Sequence, residues 1–265
     1  MKLGMGFIIF SGAEFLKPIL HSCRQFAHLT VGVYSLMSNT GEVAPGYLLP
    51  LLEGLKKEGL LDVIIEYKVI ATRIPEKMRG INRAKRQLGL EIARKAGCTH
   101  FMSRDCDEFY RPSQFQEQLS AMEEHDVTIA PLMEYYHDVR RRAKQLPGLH
   151  VPLTHRINLN YSKQRTYPVL VDSERTVEPV RTFKVFASNE LLMHHMCCVR
   201  FDRRELLRKY EGHAHFKNRG DLEKYIAGID ATTEDQLEEI SDQFNILPYW
   251  EGEFKELLEG KPGAR

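Results

Sequence analysis

The sequence of 265 residues has almost no net charge, since 37 lysine and arginine residues stand against 36 aspartate and glutamate residues and leave a formal charge of +1. This balance excludes the strongly one-signed composition with which many proteins attract nucleic acid or anionic membranes over their whole surface. A partner of either kind would have to be recognised by a local group of charges.

Long apolar runs and a disulfide framework are also lacking. The apolar runs are far shorter than the ~20 residues that span a bilayer, so no transmembrane segment is predicted. Residues 1–10 lack the apolar core and cleavage site of a signal peptide. The five cysteines are odd in number and include no CxxC pair, which is typical of reduced thiols that fill a core. We therefore expect a cytoplasmic protein, located in the host cytoplasm if its source is a virus.

Apolar runs alternate with helical patterns in the first half of the chain. Strands are predicted at 6–10, 29–37, 62–70, 99–102 and 127–133. Helices are predicted at 14–26, 47–60, 81–96 and 113–124. Gly97 is expected to cap the third helix, and Ser113 with Gln116 to form a capping box for the fourth. This alternation predicts an α/β fold with a mostly parallel sheet flanked by helices, whose ligands bind beyond the carboxyl ends of the strands.

The second half is less regular. Residues 139–171 contain no acidic residue, and Pro147, Gly148 and Pro152 would break a long helix, so a loop-rich basic excursion is predicted. Its cations are Arg140, Arg141, Arg142, Lys144, Arg156, Lys163 and Arg165. The remaining predicted elements are strands at 182–186 and 191–199, a helix at 202–210 and a helical region at 221–260, which Trp250 is expected to anchor.

The stretch THFMSRDCDEFY at 99–110 ends a short apolar run in the acidic motif DCDE at 105–108. Its carboxylates can converge on one cation if the chain turns there. An EF-hand loop is excluded, because Phe109 and Tyr110 occupy its fifth and sixth positions. A haloacid-dehalogenase type of phosphotransferase would need threonine where Phe109 stands. A solvated acidic turn remains as the alternative.

A polar and basic cluster precedes this motif. Its residues, predicted to open the helix before the acidic strand, are Asn82, Arg83, Lys85 and Arg86. Their charges and the positive end of the helix dipole would then face the same sheet edge as the carboxylates. Cations and carboxylates on one rim suit a diphosphate bound with Mg²⁺ or Mn²⁺. The alternative is an exposed helix face.

Two stretches resemble nucleotide-sugar glycosyltransferases of the GT-A class, which has viral and bacterial members. KRQLGLEIARKAGCTHFMSRDCDEFY, at 85–110, is similar to the donor-site region that ends in a DxD motif. Arg86 and Gly89 match an RNxG pattern, in which Gln87 replaces the asparagine. MHHMCCVR, at 193–200, is similar to a histidine-containing strand of some members. The resemblance implies a Rossmann-like GT-A fold.

The resemblance also implies site residues. Asp105 and Asp107 would contact the ribose and a metal ion on the donor diphosphate, with His195 as the third protein ligand, although His194 and His195 are not distinguished by the sequence. An imidazole ligand favours Mn²⁺ over Mg²⁺. Arg86 would stabilise the leaving diphosphate of a UDP-sugar, and alanine at Asp107 or Arg86 is expected to leave the fold intact. The further donor-binding residues expected by position are Ser11, Gly12, Glu14, Ser38, Asn39 and Arg83.

An inverting hexosyl or pentosyl transfer needs a carboxylate as general base, whereas a retaining one does not. The candidates are Glu134, Asp138, Glu178 and Glu190. In this interpretation residues 1–200 form the catalytic domain, with a donor half at 1–110 and an acceptor half at 111–200. Residues 201–265 form a helical extension packed on the same domain.

The basic excursion is the predicted acceptor site. The expected acceptor-binding residues are Arg140, Arg141, Arg142, Lys144 and Arg156. Phosphate neutralisation by cations together with stacking on Tyr161 and Tyr167 would suit nucleic acid. A hydroxymethylated pyrimidine in DNA, as in the DNA modification of some phages, is therefore one expected acceptor, and a glycan or lipid is another. The alternative of a different class is a non-catalytic nucleic-acid or partner-binding module on a degenerate GT-A fold.

Overall fold

A mixed β-sheet forms the centre of the protein, whose computed structural model describes residues 1–163, 166–202, 205–206 and 219–259. Arg165 and most of the helix predicted at 202–210 lie outside these ranges. The strands are β1 Leu3–Ile9, β2 Leu29–Tyr34, β3 Val63–Glu66, β4 His100–Asp105, β5 Glu108–Phe109, β6 Val127–Tyr136, β7 Arg141–Ala143, β8 His150–Arg156, β9 Asn160–Tyr161, β10 Val177–Glu178, β11 Phe183–Val185, β12 Met193–Cys198 and β13 Leu237–Glu239.

The main sheet runs in the order β13-β7-β6-β8-β4-β1-β2-β3. Strands β3, β2, β1 and β4 are parallel, which confirms the α/β prediction and the repeated strand–helix units of the first half. Strand β8 is antiparallel to both of its neighbours, β4 and β6. The sheet is therefore mixed, and the prediction of a mostly parallel sheet overestimated its parallel part.

Strand β8 corrects the interpretation of residues 139–171 as loops. It has a buried apolar centre despite Pro152, which was counted as a breaker. Its ladder with β6 changes register between Val127 and Ile129, and Ile129 is the partner of Pro152. A bulge is one of the places where a strand tolerates proline, because hydrogen bonding is already interrupted there.

The helices of the first half are α1 Leu16–Cys23, α2 Leu48–Lys57, α3 Pro75–Lys95, α4 Pro112–Glu117 and α5 Leu119–Glu124. Helix α3 begins six residues earlier than expected, with Pro75 in its first turn. The cluster at 82–86 therefore lies in its interior, and the helix-dipole argument for those residues was wrong. Ser113 is not a cap either, since α4 begins at Pro112 after an extended Arg111. At the other end of α3, Gly97 has a φ of 78°, as predicted for a helix cap.

Helix α3 packs closely on β1 through a glycine. A Cβ atom at Gly89 would lie 3.2 Å from the ring of Phe101, and one at Gly6 would lie 2.5 Å from it. The two glycines thus leave space for this ring between helix and sheet. Close packing holds the neighbouring turn of α3, with Lys85 and Arg86, against the carboxyl ends of the strands.

The described C-terminal residues pack on the same body. They contain a helix at Arg219–Asp230, the strand β13, and short helical segments at Ile246–Tyr249 and Lys255–Leu258 joined by a π-helical turn. Trp250 donates from Nε1 to the carbonyl of Glu14 at 2.9 Å and is buried, as expected of an anchor. The wholly helical prediction missed β13, which pairs with β7. Within the described residues, each helix is too short or too polar to serve as a bilayer crossing.

Candidate functional site

A cavity of about 430 Å³ opens beyond the carboxyl ends of β1, β2 and β4. This is the place predicted for a ligand of an α/β sheet. One wall is a face of α3, and the opposite walls come from β6, β12 and the loop that carries Arg175. The residues singled out in the sequence that line it are Ser11, Ser38, Asn39, Asn82, Lys85, Arg86, Asp105, Asp107, Glu108, Glu134 and His195.

Asp105 ends β4 between two guanidinium groups. Arg86 donates to its Oδ1 at 3.0 Å, and Arg175 donates to its Oδ2 at 2.8 Å. Partial burial alone would raise the pKa of Asp105, but the charges of Arg86 and Arg175 outweigh it and hold the pKa below its usual value. Asp105 is therefore a fixed carboxylate whose side chain is still 38% exposed.

Glu108, the third carboxylate of the acidic motif, points into the protein. It forms a two-pronged ion pair with Arg175, in which Nη1 lies 2.9 Å from Oε2. Its Oε2 also accepts from the backbone N–H of Asp105 at 3.2 Å. Glu108 thus positions Arg175 for Asp105. Arg175 was missed by the sequence analysis, since it lies in a long loop with no local pattern that connects it to the acidic motif.

Asp107 and His195 meet because the short strand β5 pairs with β12. His195 is the register partner of Glu108, and the N–H of Met196 donates to the carbonyl of Asp107 at 2.8 Å. This places His195 Nε2 3.6 Å from Asp107 Oδ1. Arg200, also missed by the sequence analysis, donates to the other carboxylate oxygen, Oδ2, at 2.7 Å.

The neighbouring His194 belongs to the core. Its Nδ1 lies 2.7 Å from the hydroxyl of Tyr135. Burial, with the nearby charges of Arg111 and Arg142, lowers the pKa of His194 to about 3. Because successive strand residues face opposite sides, His195 then faces the cavity. The structure therefore distinguishes the two histidines, which the sequence did not.

Two of the three expected metal ligands, Asp107 and His195, lie close together. Two ligands of one ion, each about 2.1 Å from it, can be separated by the distance seen between Asp107 Oδ1 and His195 Nε2. Asp105 is instead engaged by Arg86 and Arg175, and the described ranges hold no group of three His, Cys, Asp or Glu residues that would bind a metal ion. The pair suits an ion that takes its other ligands from phosphate and water, as Mg²⁺ commonly does.

Helix α3 contributes cations to the cavity. The ammonium of Lys85 donates to Ser35 Oγ at 3.0 Å, and burial, with the charge of Arg86, lowers the pKa of Lys85 to about 8. Arg86 donates from Nη1 to Ser103 at 2.7 Å, while its buried Nε has no hydrogen-bond partner within the described part of the chain. The guanidinium is thus held beside the cavity by Ser103 and Asp105. Arg86 and Asp107 are 3% and 4% exposed, so both are buried although they line the cavity.

Polar side chains continue this wall. Asn39 donates to Asn82 Oδ1 at 3.0 Å, and Asn82 donates to Glu174 Oε2 at 2.9 Å. Burial, with the charge of Asp172, raises the pKa of Glu174 to about 6. The sequence analysis did not identify Glu174, which like Arg175 lies in an irregular loop.

Three residues expected to bind the donor do not line the cavity. Gly12, with a φ of 76°, begins a 3₁₀ turn. Glu14 in that turn is fully buried, 3.8 Å from Arg200 Nε, and burial raises its pKa to about 7 although the charge of Arg200 opposes this. Arg83 instead pairs with Glu76 at 3.2 Å. For Glu14, position after a strand was too coarse a criterion, because its side chain turns inward.

Of the four general-base candidates, Glu134 lines the cavity. It is the register partner of His195 and accepts from the hydroxyl of Tyr136 at 2.8 Å. The other three lie elsewhere. Asp138 is paired with Arg140 and Arg141, Glu190 is paired with Lys184, and Glu178 is exposed in the small β9–β10 sheet.

The expected acceptor cations also lie outside the cavity and are already paired. The contacts are Arg140 with Asp138, Arg141 with Glu234, Arg142 with Glu238 at 2.9 Å, Lys144 with the carbonyl of Asp235 at 2.6 Å, and Arg156 with Asp126 at 3.0 Å. The stretch lacks acids in sequence, but Asp126, Asp138, Glu234 and Glu238 supply them in space. Its cations are therefore not an open anion-binding surface.

No protein-family model and no curated protein matches the sequence. Similar solved structures include residues 1–349 of TarS from S. aureus in complex with UDP-GlcNAc, with 12% identity over 52% of this chain and 35% of that chain and a TM-score of 0.34. A longer TarS structure has 10% identity over 74% of this chain and 37% of that chain, with a TM-score of 0.44. Mannose-1-phosphate geranyltransferase from Thermus thermophilus has 11% identity over 56% of this chain and 46% of that chain, with a TM-score of 0.30. This chain thus spans well under two thirds of each of them.

Proposed function

We propose that the chain is a metal-dependent glycosyltransferase that moves a sugar from a nucleoside diphosphate sugar, expected to be a UDP-sugar, to an acceptor hydroxyl. The observation that supports this most directly is the meeting of Asp107 and His195 with Lys85 and Arg86 in one cavity beyond the strand ends. Cations and a metal-binding pair together suit a diphosphate that gains negative charge as it leaves.

Asp107 and His195 would hold Mn²⁺ or Mg²⁺, which when bound neutralises part of the charge of the diphosphate. Lys85 and Arg86 would supply positive charge beside the phosphate oxygens. Asp105 keeps lone pairs on both oxygens beside its arginine partners, and it would accept hydrogen bonds from the ribose hydroxyls. Arg86, Asp105 and Asp107 are held by ion pairs and Lys85 by a hydrogen bond to Ser35, so they need little rearrangement to bind.

Glu134 is the general base in this proposal. It lies beside His195 on β6, and the hydroxyl of Tyr136 orients it. A carboxylate in this position would remove the proton of an acceptor hydroxyl that attacks the anomeric carbon, so we expect inversion at that carbon. Glu134→Gln should lose transfer but keep nucleotide binding, whereas Glu190→Gln, outside the cavity, should keep both. Retention of configuration in the product would exclude this role.

The proposal also concerns which class of acceptor receives the sugar. A hydroxymethylated pyrimidine in DNA stays a prediction of the sequence, but the ion pairs of Arg140, Arg141 and Arg142 remove the free cations on which that prediction depended. A glycan or lipid hydroxyl can bind without a surface of free cations. We therefore propose an acceptor of this class. Transfer assays with plain and hydroxymethylated duplexes test the DNA alternative, which sugar incorporation into the modified duplex alone would establish.

Calorimetry tests the donor site. UDP, GDP and ADP are titrated with Mn²⁺, with Mg²⁺ and with a chelator, and UDP is expected to bind tightly with a divalent ion only. His195→Ala should remove the metal dependence, and Glu190→Ala serves as the matched control. Equal binding of UDP in chelator would reject the metal role of Asp107 and His195. Binding of UDP-sugars without hydrolysis or transfer to any acceptor would favour the non-catalytic module.

A further inference from the structure

The large apolar side chains that the structure leaves exposed are concentrated in one place. Five of the nine in the described ranges form what we call the apolar patch, and they are Leu36, Met37, Val43, Ile70 and Ile74. Val43 is 71% exposed, Ile70 87% and Ile74 51%. Single exposed apolar residues are common, but a cluster of this kind marks a surface that binds something.

The apolar patch comes from two segments that contact each other. In the first, Met37 forms a β-bridge with Val43. The second, residues 67–74, joins it through the N–H of Thr72, which donates to the carbonyl of Asn39 at 2.7 Å. The patch borders the cavity, because Asn39 lines it and α3, which begins directly after Ile74, provides another wall.

Cations are interleaved with the apolar residues of the second segment. Lys68, Arg73 and Lys77 are exposed, and none has an ion-pair partner among the residues that the structure describes. Residues 66–79 contain four cations and two carboxylates. One of these carboxylates, Glu76, is already shared by Arg79, Arg83 and Lys163. The second segment is therefore apolar and carries a net positive charge.

We propose that the apolar patch, with Lys68, Arg73 and Lys77, docks on a membrane that contains anionic phospholipid. Exposed isoleucines can enter the boundary between headgroups and acyl chains, while neighbouring cations pair with lipid phosphates. Docking through this surface would bring the cavity beside the membrane. The inference goes beyond the proposed glycosyltransferase activity and does not depend on it.

A second copy of the chain fits this surface less well. A symmetric dimer would place the same patch of each subunit against the other. Lys68, Arg73 and Lys77 would then face their own copies, and like charges across an interface oppose association. Anionic lipid offers the complementary charge and accepts the apolar residues as well.

Flotation with vesicles tests the proposal. The unaltered chain is expected to bind vesicles that contain phosphatidylglycerol, to bind phosphatidylcholine vesicles much less, and to lose affinity as salt rises. K68Q/R73Q/K77Q should weaken binding to the anionic vesicles by roughly a hundredfold, at about fivefold for each cation. I70S/I74S should weaken it at least about tenfold. The matched controls, K56Q/K57Q and Leu258→Ser, change exposed residues of the same types elsewhere.

Several results would overturn the proposal. The first is absence of binding to anionic vesicles at low salt, and the second is an equal loss of binding in the control variants. Analytical ultracentrifugation tests for a dimer. If the parent chain is a dimer that does not bind vesicles, and I70S/I74S is a monomer, the patch is a self-association surface instead. UDP titration of every variant checks that the fold is intact, and failure of UDP to bind the parent would count against the donor proposal alone.

Discussion

The sequence contains two clusters of cations, one on α3 and one in the acid-free stretch, and their environments in the structure differ. Lys85 and Arg86 are buried and line a cavity. Arg141 and Arg142, in the acid-free stretch, are partly exposed and paired with Glu234 and Glu238. The density of cations along a sequence therefore does not show whether they can bind a ligand. That depends on whether they line a cavity and on which partners, distant in sequence, they contact.

The largest effect is expected on turnover, when one arginine from each group is replaced. Arg86→Met should lower turnover of a sugar nucleotide by about a hundredfold or more, because a positive charge beside the leaving diphosphate is lost. Methionine is chosen rather than alanine because Arg86 is buried, and filling its volume limits the damage to the fold. Arg142→Met should leave turnover nearly unchanged. Steady-state kinetics with thermal melts measure both, and similar losses in the two variants would refute the contrast.

A second prediction compares a buried carboxylate behind the cavity with an exposed one. Burial raises the pKa of Glu14 to about 7 from an ordinary 4.5. Its contribution to stability is therefore fully present below about pH 4.5 and is lost as the pH rises through about 7, a change of about 3 kcal/mol. Glu14→Gln should remove this part of the pH dependence, while Glu238→Gln should not. Urea unfolding at pH 5 and pH 8 gives the comparison, and parallel pH profiles for all three chains would contradict it.

A third prediction concerns the charge of Lys85. Burial, with the charge of Arg86, lowers the pKa of Lys85 to about 8, so its ammonium is present below this pH and lost above it. Affinity for UDP should fall by about tenfold as the pH rises through 8, if one interaction of about 1.4 kcal/mol disappears. Lys85→Met should bind weakly at all pH values. Calorimetry with Mg²⁺ measures this, and the same decline in Lys85→Met would assign the titration to another group.

The smallest expected effect is in the acid-free stretch itself. Arg142 and Glu238 form a partly exposed ion pair, and such pairs contribute little because water and salt screen them. A double-mutant cycle with Arg142→Gln and Glu238→Gln should give a coupling of less than about 1 kcal/mol. A markedly larger coupling would mean that the strand pair β7–β13 depends on its charges.

Local patterns predicted most of the donor side of the molecule. The apolar runs located β1, β2 and β4, and the acidic motif located the turn that carries Asp105 and Asp107. The alternation of strand residues implied that one of the two histidines, His194 or His195, faces inward. These features depend on neighbours in sequence, which a single chain displays.

What the sequence did not show depends on distant partners. Arg175 meets Glu108 across 67 positions, and Arg142 meets Glu238 across 96. Strand β8 forms despite Pro152 because a bulge in its neighbour accepts it. No periodicity records such pairings, and the arginines expected to bind the acceptor lie in surface ion pairs outside the cavity.

The pairing of β5 with β12 has a consequence for how the site arises. Asp107 and Arg200 are 93 positions apart, and the register of two short strands joins their segments. Contacts of such sequence separation require closure of a long loop, and they form late when shorter-range contacts are already in place. Nucleotide binding would therefore indicate that folding is complete. A fragment of residues 1–110 would contain the acidic motif but would lack His195, which pairs with it.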